Sequence, residues 1–220
     1  VQISDLHCKN FGKNQSELIS KIKAAKPDMI ALTGDIVDED HDSISSVEDL
    51  LKGIKDLAPI YFVTGNHELT SLAATQYQEL LALFQKYGVT DLDNDSVKLK
   101  KGGQSITLYG RQYFSQYLTD SLPIASDKDF DILLYHGSDN FKEIAPYHYD
   151  LILSGHAHGG IVRLPIWGGI FGNDGTFFPE YAGGEYTIGD ATLISSRGLG
   201  DASIPRFNNP PELVVIKLNP

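Results

Sequence analysis

The stretch Leu151-Ile152-Leu153-Ser154-Gly155-His156-Ala157-His158-Gly159-Gly160 joins a buried-strand signal to two candidate metal ligands. Its apolar run is typical of a strand, and the glycines that follow allow a tight turn and close approach of other groups. Residues i and i+2 of an extended segment point to the same side, so His156 and His158 can face one pocket. Because solvated or hydrogen-bonded histidines are common, this motif is weak evidence until other ligands are found beside it.

Apolar runs followed by polar residues recur along the chain, and helical patterns separate them. Apolar residues at helical spacing predict helices around 18–25, 47–54 and 80–84, and the first of these is expected to end before Pro27. Buried strands are predicted at 1–3, 29–32, 60–63, 131–135 and 151–153. This alternation of strands and helices is typical of an α/β domain.

The second half of the chain is richer in strand patterns. Residues 98–109 alternate about Gly102-Gly103 and predict a hairpin. A short helix is expected before residue 151, and no clear helical pattern follows it. Further strands are predicted at 185–188, 191–195 and 212–218. No repeat, linker or low-complexity segment divides the chain, so one domain is predicted over residues 1–220.

Composition narrows the classes of function. The 220 residues include 18 basic and 29 acidic side chains, a net charge of -11, which disfavours sequence-independent binding to a nucleic-acid backbone. The single cysteine, Cys8, excludes an internal disulfide and is predicted to be a small buried filler. No apolar run reaches the roughly 18 to 20 residues of a membrane span. Residues 1–3 have the pattern of the last residues of a strand, so an upstream segment is expected.

Seven potential metal ligands follow the predicted strands directly. Five of the seven histidines lie in these strand-end motifs, which scattered histidines would not do. In open α/β sheets this edge is where ligands bind. The oxygen and nitrogen donors exceed one tetrahedral zinc site and indicate two divalent ions, for which Mn, Fe, Zn, Ni or Co are all suitable. The seven ligands are Asp5, His7, Asp35, Asn66, His136, His156 and His158.

Two ions bridged by Asp35 would keep a positive charge that attracts phosphate. Metal pairs of this kind lower the pKa of bound water and favour in-line displacement at phosphorus. The ligand set therefore predicts hydrolysis of a phosphoester.

Five blocks carry a family resemblance: Asp5-Leu6-His7, Gly34-Asp35-Ile36-Val37-Asp38, Gly65-Asn66-His67-Glu68, His136 and Gly155-His156-Ala157-His158. In these blocks, present in this order, the sequence resembles the calcineurin-like metallophosphoesterases. The resemblance implies an α-β-β-α sandwich of two mixed sheets flanked by helices, with a metal-bound hydroxide attacking phosphorus. It also implies that one metal is held by Asp5, His7, Asp35 and His158, and the other by Asp35, Asn66, His136 and His156.

The resemblance leaves His67 without a metal. His67 would act on the leaving-group oxygen or stabilise the transition state, oriented by Asp38. In protein Ser/Thr phosphatases an arginine follows the second aspartate of the Gly-Asp-x-x-Asp motif, whereas this chain has Glu39. A phosphoprotein substrate is therefore not expected.

The blocks at 158–165, 196–200 and 210–212 resemble the bacterial YkuE-type and YaeI-type branch of the family. That branch implies a membrane-tethered or exported protein, with a cytoplasmic one as the alternative. The substrate implied is a phosphodiester or pyrophosphate, either a phosphorylated small molecule or a lipid-linked compound such as a nucleotide-sugar lipid. Two alternatives stay open: a nucleotide or nucleic-acid phosphodiesterase, and a non-catalytic protein-binding scaffold of the same fold.

Three further features have two interpretations each. The apolar loop at 161–171 would either cover its own core or contact a lipid tail or membrane surface. Arg197 and Arg206 are candidate phosphate-binding residues, with structural pairing as the alternative. Tyr113, Phe114 and Tyr117 form an aromatic cluster for which core packing is favoured over stacking on a base.

Overall fold

Two β-sheets packed face to face, with helices on both outer sides, position every predicted ligand. The computed structural model describes residues 1–41, 43–71, 74–113, 118, 122–126, 129–172, 175–201 and 204–219. The first sheet contains β1 (Gln2–Ile3), β2 (Ile30–Thr33), β3 (Ile60–Val63) and β4 (Val89–Asp91), all parallel and in that spatial order.

Helices provide the crossovers that parallel pairing of the first sheet requires. They are α1 (Ser16–Ala25), α2 (Ser45–Ile54) and α3 (Ala74–Tyr87). The helix α1 ends where Lys26 adopts φ 50, directly before Pro27, because a residue before proline is disfavoured in helical conformation. The sequence predicted this boundary.

The second sheet has six strands and mixed pairing. From residue 96 the chain forms β5 (Ser96–Lys101), β6 (Gln104–Arg111), β7 (Phe130–Gly137), β8 (Leu151–Gly155), β9 (Val162–Leu164), β10 (Gly168–Phe171), β11 (Gly184–Ile188) and β12 (Ala191–Ser195). The spatial order is β11-β12-β8-β7-β6-β5, parallel from β12 to β6 and antiparallel at both edges. The strands β9 and β10 form a separate antiparallel hairpin, and the one-turn helix α4 (Phe141–Ile144) follows β7.

Three apolar clusters hold these layers together. Between the sheets, Ala31 and Val63 of the first sheet join Leu134 and Leu153 of the second in one buried cluster. A second cluster packs the helices α1 and α2 onto the outer face of the first sheet. A third covers the outer face of the second sheet with Phe141 and residues around it. The predicted α/β sandwich with flanking helices is confirmed.

The structure differs from the sequence predictions at a few elements. The predicted strand at 212–218 is wrong, since only Val214 forms a bridge, antiparallel to Gln2. That bridge is where the otherwise parallel first sheet becomes mixed. Three short strands, β4, β9 and β10, were not predicted. Among the described residues, no helix combines the length and apolar character needed to cross a membrane. Phe114 and Tyr117 lie outside the described residues.

Candidate metal centre

The ends of five strands bring the seven predicted ligands to one edge of the sandwich. Asp5 and His7 follow β1, Asp35 follows β2, and Asn66 follows β3. From the second sheet come His136, inside β7, and the two histidines after β8, His156 and His158.

Five of these seven residues have left-handed backbone conformations. Their φ angles are 50° for Asp5, 47° for His7, 51° for Asp35, 70° for His156 and 47° for His158. Such angles are uncommon outside glycine, cost about 1 to 3 kcal/mol each, and cluster at functional sites. The backbone is bent at the ligands so that their side chains converge.

The side chains form two groups that share Asp35. In the first group Nε2 of His7 lies 3.2 Å from Nε2 of His158 and 3.9 Å from Oδ2 of Asp35. Asp5 completes it, with Oδ1 at 3.4 Å from Nε2 of His158. Mutual distances of this size suit donors arranged around one ion.

In the second group Oδ2 of Asp35 lies 3.0 Å from Nε2 of His136, and His156 joins them. Oδ1 of Asn66 lies 2.9 Å from Nδ1 of His156. The two groups bring together residues that the family resemblance assigns to each metal, and Asp35 belongs to both groups. Their role as ligands stays a prediction.

Several atoms at the centre of these groups are buried without a partner. Oδ2 of Asp5, Oδ2 of Asp35 and Nε2 of His136 make no hydrogen bond of acceptable geometry with the described part of the chain. The 3.0 Å separation of the last two is therefore a close contact without hydrogen-bond alignment. Burial of unpaired polar atoms is costly, and coordination of a cation would satisfy all three. The donor set fits the divalent ions that oxygen and imidazole ligands bind.

The pKa values of several ionisable side chains in the site depend on the charges of their neighbours. Burial favours the neutral form of His136, but the Asp35 carboxylate outweighs it and raises the pKa of His136 to about 10. Burial opposes ionisation of Asp35, yet His136 and His7 together hold the pKa of Asp35 below its usual value. Burial lowers the pKa of His158 to about 3 and also lowers that of His156. Without a cation, a proton on His136 balances Asp35; a metal would replace that proton.

Glu68 stabilises the loops that carry the candidate ligands, although no role for it is predicted from the sequence. Its buried carboxylate accepts hydrogen bonds from the backbone N–H of Asp35 (2.9 Å), Ile36 (2.8 Å), Val37 (3.4 Å) and Gly65 (2.7 Å). Burial and the negative charge of Asp35 raise the pKa of Glu68, while the backbone donors oppose that rise. The carboxylate thus ties the loop after β2 to the loop after β3. The signal in the sequence is its place in the Gly65-Asn66-His67-Glu68 block, two residues beyond Asn66.

A cleft of about 270 Å³ opens beside the first group. His7, His67 and His158 lie on its wall together with Asp38 and Glu39. Nδ1 of His67 lies 2.6 Å from Oε2 of Glu39.

The orientation of His67 by Asp38 stays a prediction, and in this structure the carboxylate of Asp38 contacts two other histidines. Oδ1 of Asp38 lies 2.6 Å from Nδ1 of His41, and Oδ2 lies 3.5 Å from Nδ1 of His7. Hydrogen bonds to these two histidines hold the pKa of Asp38 at about 2 despite its burial. Both carboxylate oxygens of Asp38 therefore contact other histidines, and the carboxylate in contact with His67 is that of Glu39.

A family model described as calcineurin-like phosphoesterase matches residues 1–160. The chain belongs to this family. It is 30% identical over 228 aligned positions to the uncharacterized metallophosphoesterase YkuE of Bacillus subtilis (strain 168), covering 99% of this chain and 78% of that protein. It is 26% identical over 220 positions to phosphodiesterase YaeI of Escherichia coli (strain K12), covering 98% of this chain and 80% of that protein.

Solved structures with the same fold share little sequence with this phosphoesterase. A phosphopantetheinyl hydrolase from Mycobacterium tuberculosis superposes with a TM-score of 0.54 at 11% identity, over 90% of this chain and 88% of that one. A dimetal phosphatase from Danio rerio gives 0.51 at 12% identity, over 90% and 86%. At these identities the likeness concerns the fold alone. Family membership and the ligand geometry identify the chain as a metal-dependent phosphoesterase, a hydrolase.

The two arginines predicted to bind substrate support the ligand loops of this phosphoesterase. Arg206 donates from Nε to the carbonyl of Gly200 (2.8 Å) and from Nη1 to that of Arg197 (2.7 Å), and its Nη2 lies 3.1 Å from Nδ1 of His158. Arg197 pairs with Oε1 of Glu212 at 2.8 Å. Contact of either arginine with substrate stays a prediction.

Two other candidates have packing roles. Tyr113 stacks on Tyr135 at a centroid distance of 6.0 Å and contacts the rings of His136 and His156 at 5.4 and 5.3 Å. Tyr113 is the one member of the predicted aromatic cluster that the structure describes, and its packing agrees with the favoured interpretation, packing against the core. Cys8 is buried, as predicted, and burial raises the pKa of its thiol to about 11.

Proposed function

We propose that this phosphoesterase hydrolyses phosphodiesters or pyrophosphates with two divalent metal ions held by the seven strand-end ligands. The observation that carries the proposal is the shared position of Asp35 between two ligand groups in which three buried polar atoms have no hydrogen-bond partner among the described residues. When bound, such ions lower the pKa of water and neutralise charge at phosphorus.

The chain's own residues have separate tasks in this proposal. Asp5, His7 and His158 form one side of the site, and His136 and His156 the other. His136 is oriented by a hydrogen bond from Nδ1 to the carbonyl of Thr33 (2.7 Å), which leaves Nε2 available for a metal beside Asp35, 3.0 Å away. A fixed tautomer of this kind prepares a histidine for coordination.

His67 is the proposed proton donor. It lies on the wall of the cleft beside His7, with ring centroids 4.8 Å apart, and belongs to neither ligand group. In the proposed reaction it donates a proton to the leaving-group oxygen as the phosphorus–oxygen bond breaks.

The substrate proposed is a phosphodiester or pyrophosphate with an apolar part, such as a nucleotide-sugar lipid. Support comes from the apolar hairpin of β9 and β10, which begins next to His158. At its tip Ile166 is 100% exposed and Trp167 68%. Phe178, 55% exposed, lies beside Trp167 with ring centroids 6.5 Å apart, and Phe177, 69% exposed, packs on Phe171 at the end of β10. These side chains do not cover their own core, and exposed aromatic clusters are typical of contacts with apolar partners or a lipid surface.

The described relative YaeI is named a phosphodiesterase, which further supports diester chemistry. A nucleotide or nucleic-acid phosphodiesterase is the second candidate within the same chemistry. The net charge of -11 argues against a nucleic-acid backbone as partner.

The testing experiment compares bis-p-nitrophenyl phosphate with p-nitrophenyl phosphate on protein loaded with Mn²⁺, with metal content measured on the same sample. The expected result is about two metals per chain and preference for the diester. Asp35→Asn should abolish turnover and lower metal content because it removes the shared carboxylate. Asp28→Asn, the same change at an exposed surface pair with Lys101, is the matched control and should change neither.

Full metal content with no turnover on either ester would contradict diester hydrolysis and favour the scaffold alternative. Metal-loaded, active protein that rejects nucleotide-sugar lipids while cleaving cyclic or linear dinucleotides would favour the second candidate.

A further inference from the structure

We propose that the tip of the hairpin formed by β9 and β10 docks this phosphoesterase on the surface of a lipid bilayer. Ile166 and Trp167, in the turn between the two strands, and Phe178 beside them form the docking surface, the tip cluster. The ring centroids of Trp167 and Phe178 are 6.5 Å apart, and the backbone N–H of Phe178 donates to the carbonyl of Ile170 in β10 (2.9 Å). The inference concerns where the protein binds and does not depend on the reaction that it catalyses.

The backbone presents two of these side chains to solvent in an unfavourable conformation. Ile166 has φ 76° and Phe178 has φ 54°, angles that are uncommon outside glycine and are outliers for β-branched or bulky residues. Strain of this kind persists at sites with a function. The side chains gain little burial from the described part of the chain, since Ile166 is 100% exposed and Phe178 55%. Their function therefore lies in contact with an apolar surface outside the chain.

The hairpin is a fixed extension of the loop that carries His158. A Cβ on Gly160 would lie 2.8 Å from the backbone of Gly169, and one on Gly169 would lie 2.9 Å from the carbonyl oxygen of Gly159. The strand β10 therefore packs directly on the turn after His158. Arg163 in β9 also donates from Nη1 to the carbonyl of Gly159 (2.6 Å). Docking of the tip cluster would accordingly bring the ligand loop towards the lipid surface.

The charges around the tip cluster suit a neutral lipid surface. Asp174 is the only charged residue in the sequence between Arg163 and Glu180. Both of these flanking residues have other partners, Arg163 the carbonyl of Gly159 and Glu180 the ammonium of Lys142 (2.7 Å). Tryptophan and large aliphatic side chains enter the boundary between head groups and acyl chains through their apolar surface. Because the whole chain has a net charge of -11, anionic lipids should not favour docking.

The size of the tip cluster argues against a second protein as its occupant. At about 150 to 250 Å² for an aromatic side chain, the exposed parts of its three side chains offer roughly 400 to 500 Å². A stable protein interface buries about 800 Å² on each partner, so a second copy of this chain would have to cover much more than the tip. A bilayer sets no such minimum, because a short apolar insertion gives weak and reversible binding.

The test measures binding of the full chain to phosphatidylcholine vesicles by co-sedimentation and by fluorescence. Trp167 is the only tryptophan of the chain, so tryptophan emission reports the tip cluster alone. We expect the protein to sediment with the vesicles and the emission of Trp167 to shift to shorter wavelength and to be quenched by brominated acyl chains. The partition coefficient should be equal with and without Mn²⁺ and should not fall at high salt, because salt screens charges and apolar insertion involves none.

Ile166→Asn removes the apolar side chain at the end of the hairpin. Asparagine adopts positive φ more readily than isoleucine, so the variant should keep its fold. The partition coefficient should fall about tenfold to hundredfold, the effect of withholding one large aliphatic side chain from an apolar environment. Ile124→Asn is the matched control and should leave the partition coefficient unchanged. Ile124 is 70% exposed and precedes β7, at the sheet edge opposite the ligands.

Absence of the unchanged protein from the vesicle pellet would overturn the inference, as would equal partition of Ile166→Asn or sedimentation without a change in Trp167 emission. Binding that requires Mn²⁺ would also overturn it, because the metal centre would then hold lipid phosphate directly, and so would binding that is lost at high salt. A dimer in lipid-free solution that Ile166→Asn dissociates would assign the tip cluster to a second copy instead. Failure to cleave any diester would contradict the proposed function and leave the vesicle result unaffected.

Discussion

Replacing Glu68 by Gln tests the support beneath the metal centre. Oε2 of Glu68 accepts from the N–H groups of Asp35 and Gly65, and Oε1 accepts from those of Ile36 and Val37. A glutamine keeps one acceptor oxygen and places an NH₂ group, a donor only, against two of these donors.

The loss has a calculable order of magnitude. Two hydrogen bonds to a charged group are removed, each worth about 1.5 to 3 kcal/mol, so Glu68→Gln should lower the free energy of unfolding by about 3 to 6 kcal/mol. That is a large fraction of the roughly 5 to 15 kcal/mol typical of a domain. The loops that carry Asp35 and Asn66 would also lose their link, so metal content should fall.

Urea unfolding of metal-free protein measures the first effect, and metal analysis of the loaded protein measures the second. Glu79→Gln, the same change at an exposed position of α3, should stay within about 0.5 kcal/mol of the unchanged protein. A Glu68→Gln protein within about 1 kcal/mol of the unchanged one, with two metals bound, would refute the reasoning.

Three further perturbations address other parts of the site. His67→Ala should keep its metal and slow hydrolysis by about 10² to 10⁴-fold, measured as kcat beside metal content; loss of metal would instead make His67 a ligand. Gly155→Ala should lower both stability and metal content, measured by urea unfolding and metal analysis, because its Cβ would collide with the side chains of Ser4 and Asp5. Metal-free protein should lose stability as pH rises from 6.5 towards about 10, because the folded pKa of His136 is raised to about 10 from 6.5 and its contribution is complete only below the lower value. Urea unfolding of metal-free protein across that range checks the slope, which should be smaller in a His136→Gln variant, because the raised pKa of His7 contributes a slope of the same sign.

The positions of the candidate ligands can be predicted from the sequence because each ligand directly follows a recognisable strand along the chain. A buried strand such as β3 is recognisable from its apolar run, and the residues after it have to lie at the sheet edge. Every one of the seven predicted ligands lies at that edge. Their roles as ligands stay predictions, since their placement shows only that the geometry suits them.

The missed features depend on contacts that no local pattern contains. Side-chain directions in the loop at Asp38 and Glu39 follow from its backbone angles, so sequence spacing could not assign the two carboxylates. The segment at 212–218 contains the apolar run Leu213-Val214-Val215-Ile216 but lies beside β1, which is two residues long and offers it a single bridge at Gln2. The predicted strand therefore has no neighbouring strand of matching length to pair with.

The ligand loops are held in place by the chain itself, before any metal is considered. Beyond the end of β1, the N–H groups of Asp5, His7 and Cys8 donate to the carbonyls of Gly34 (3.0 Å), Asp35 (3.1 Å) and Ile36 (3.1 Å). These bonds continue the pairing of β1 with β2 through residues whose left-handed angles would otherwise be unfavourable. Strain at the ligands is therefore offset by backbone hydrogen bonds and by Glu68. A metal-free protein should accordingly keep its fold, and the metal should add stability by mass action rather than create the site.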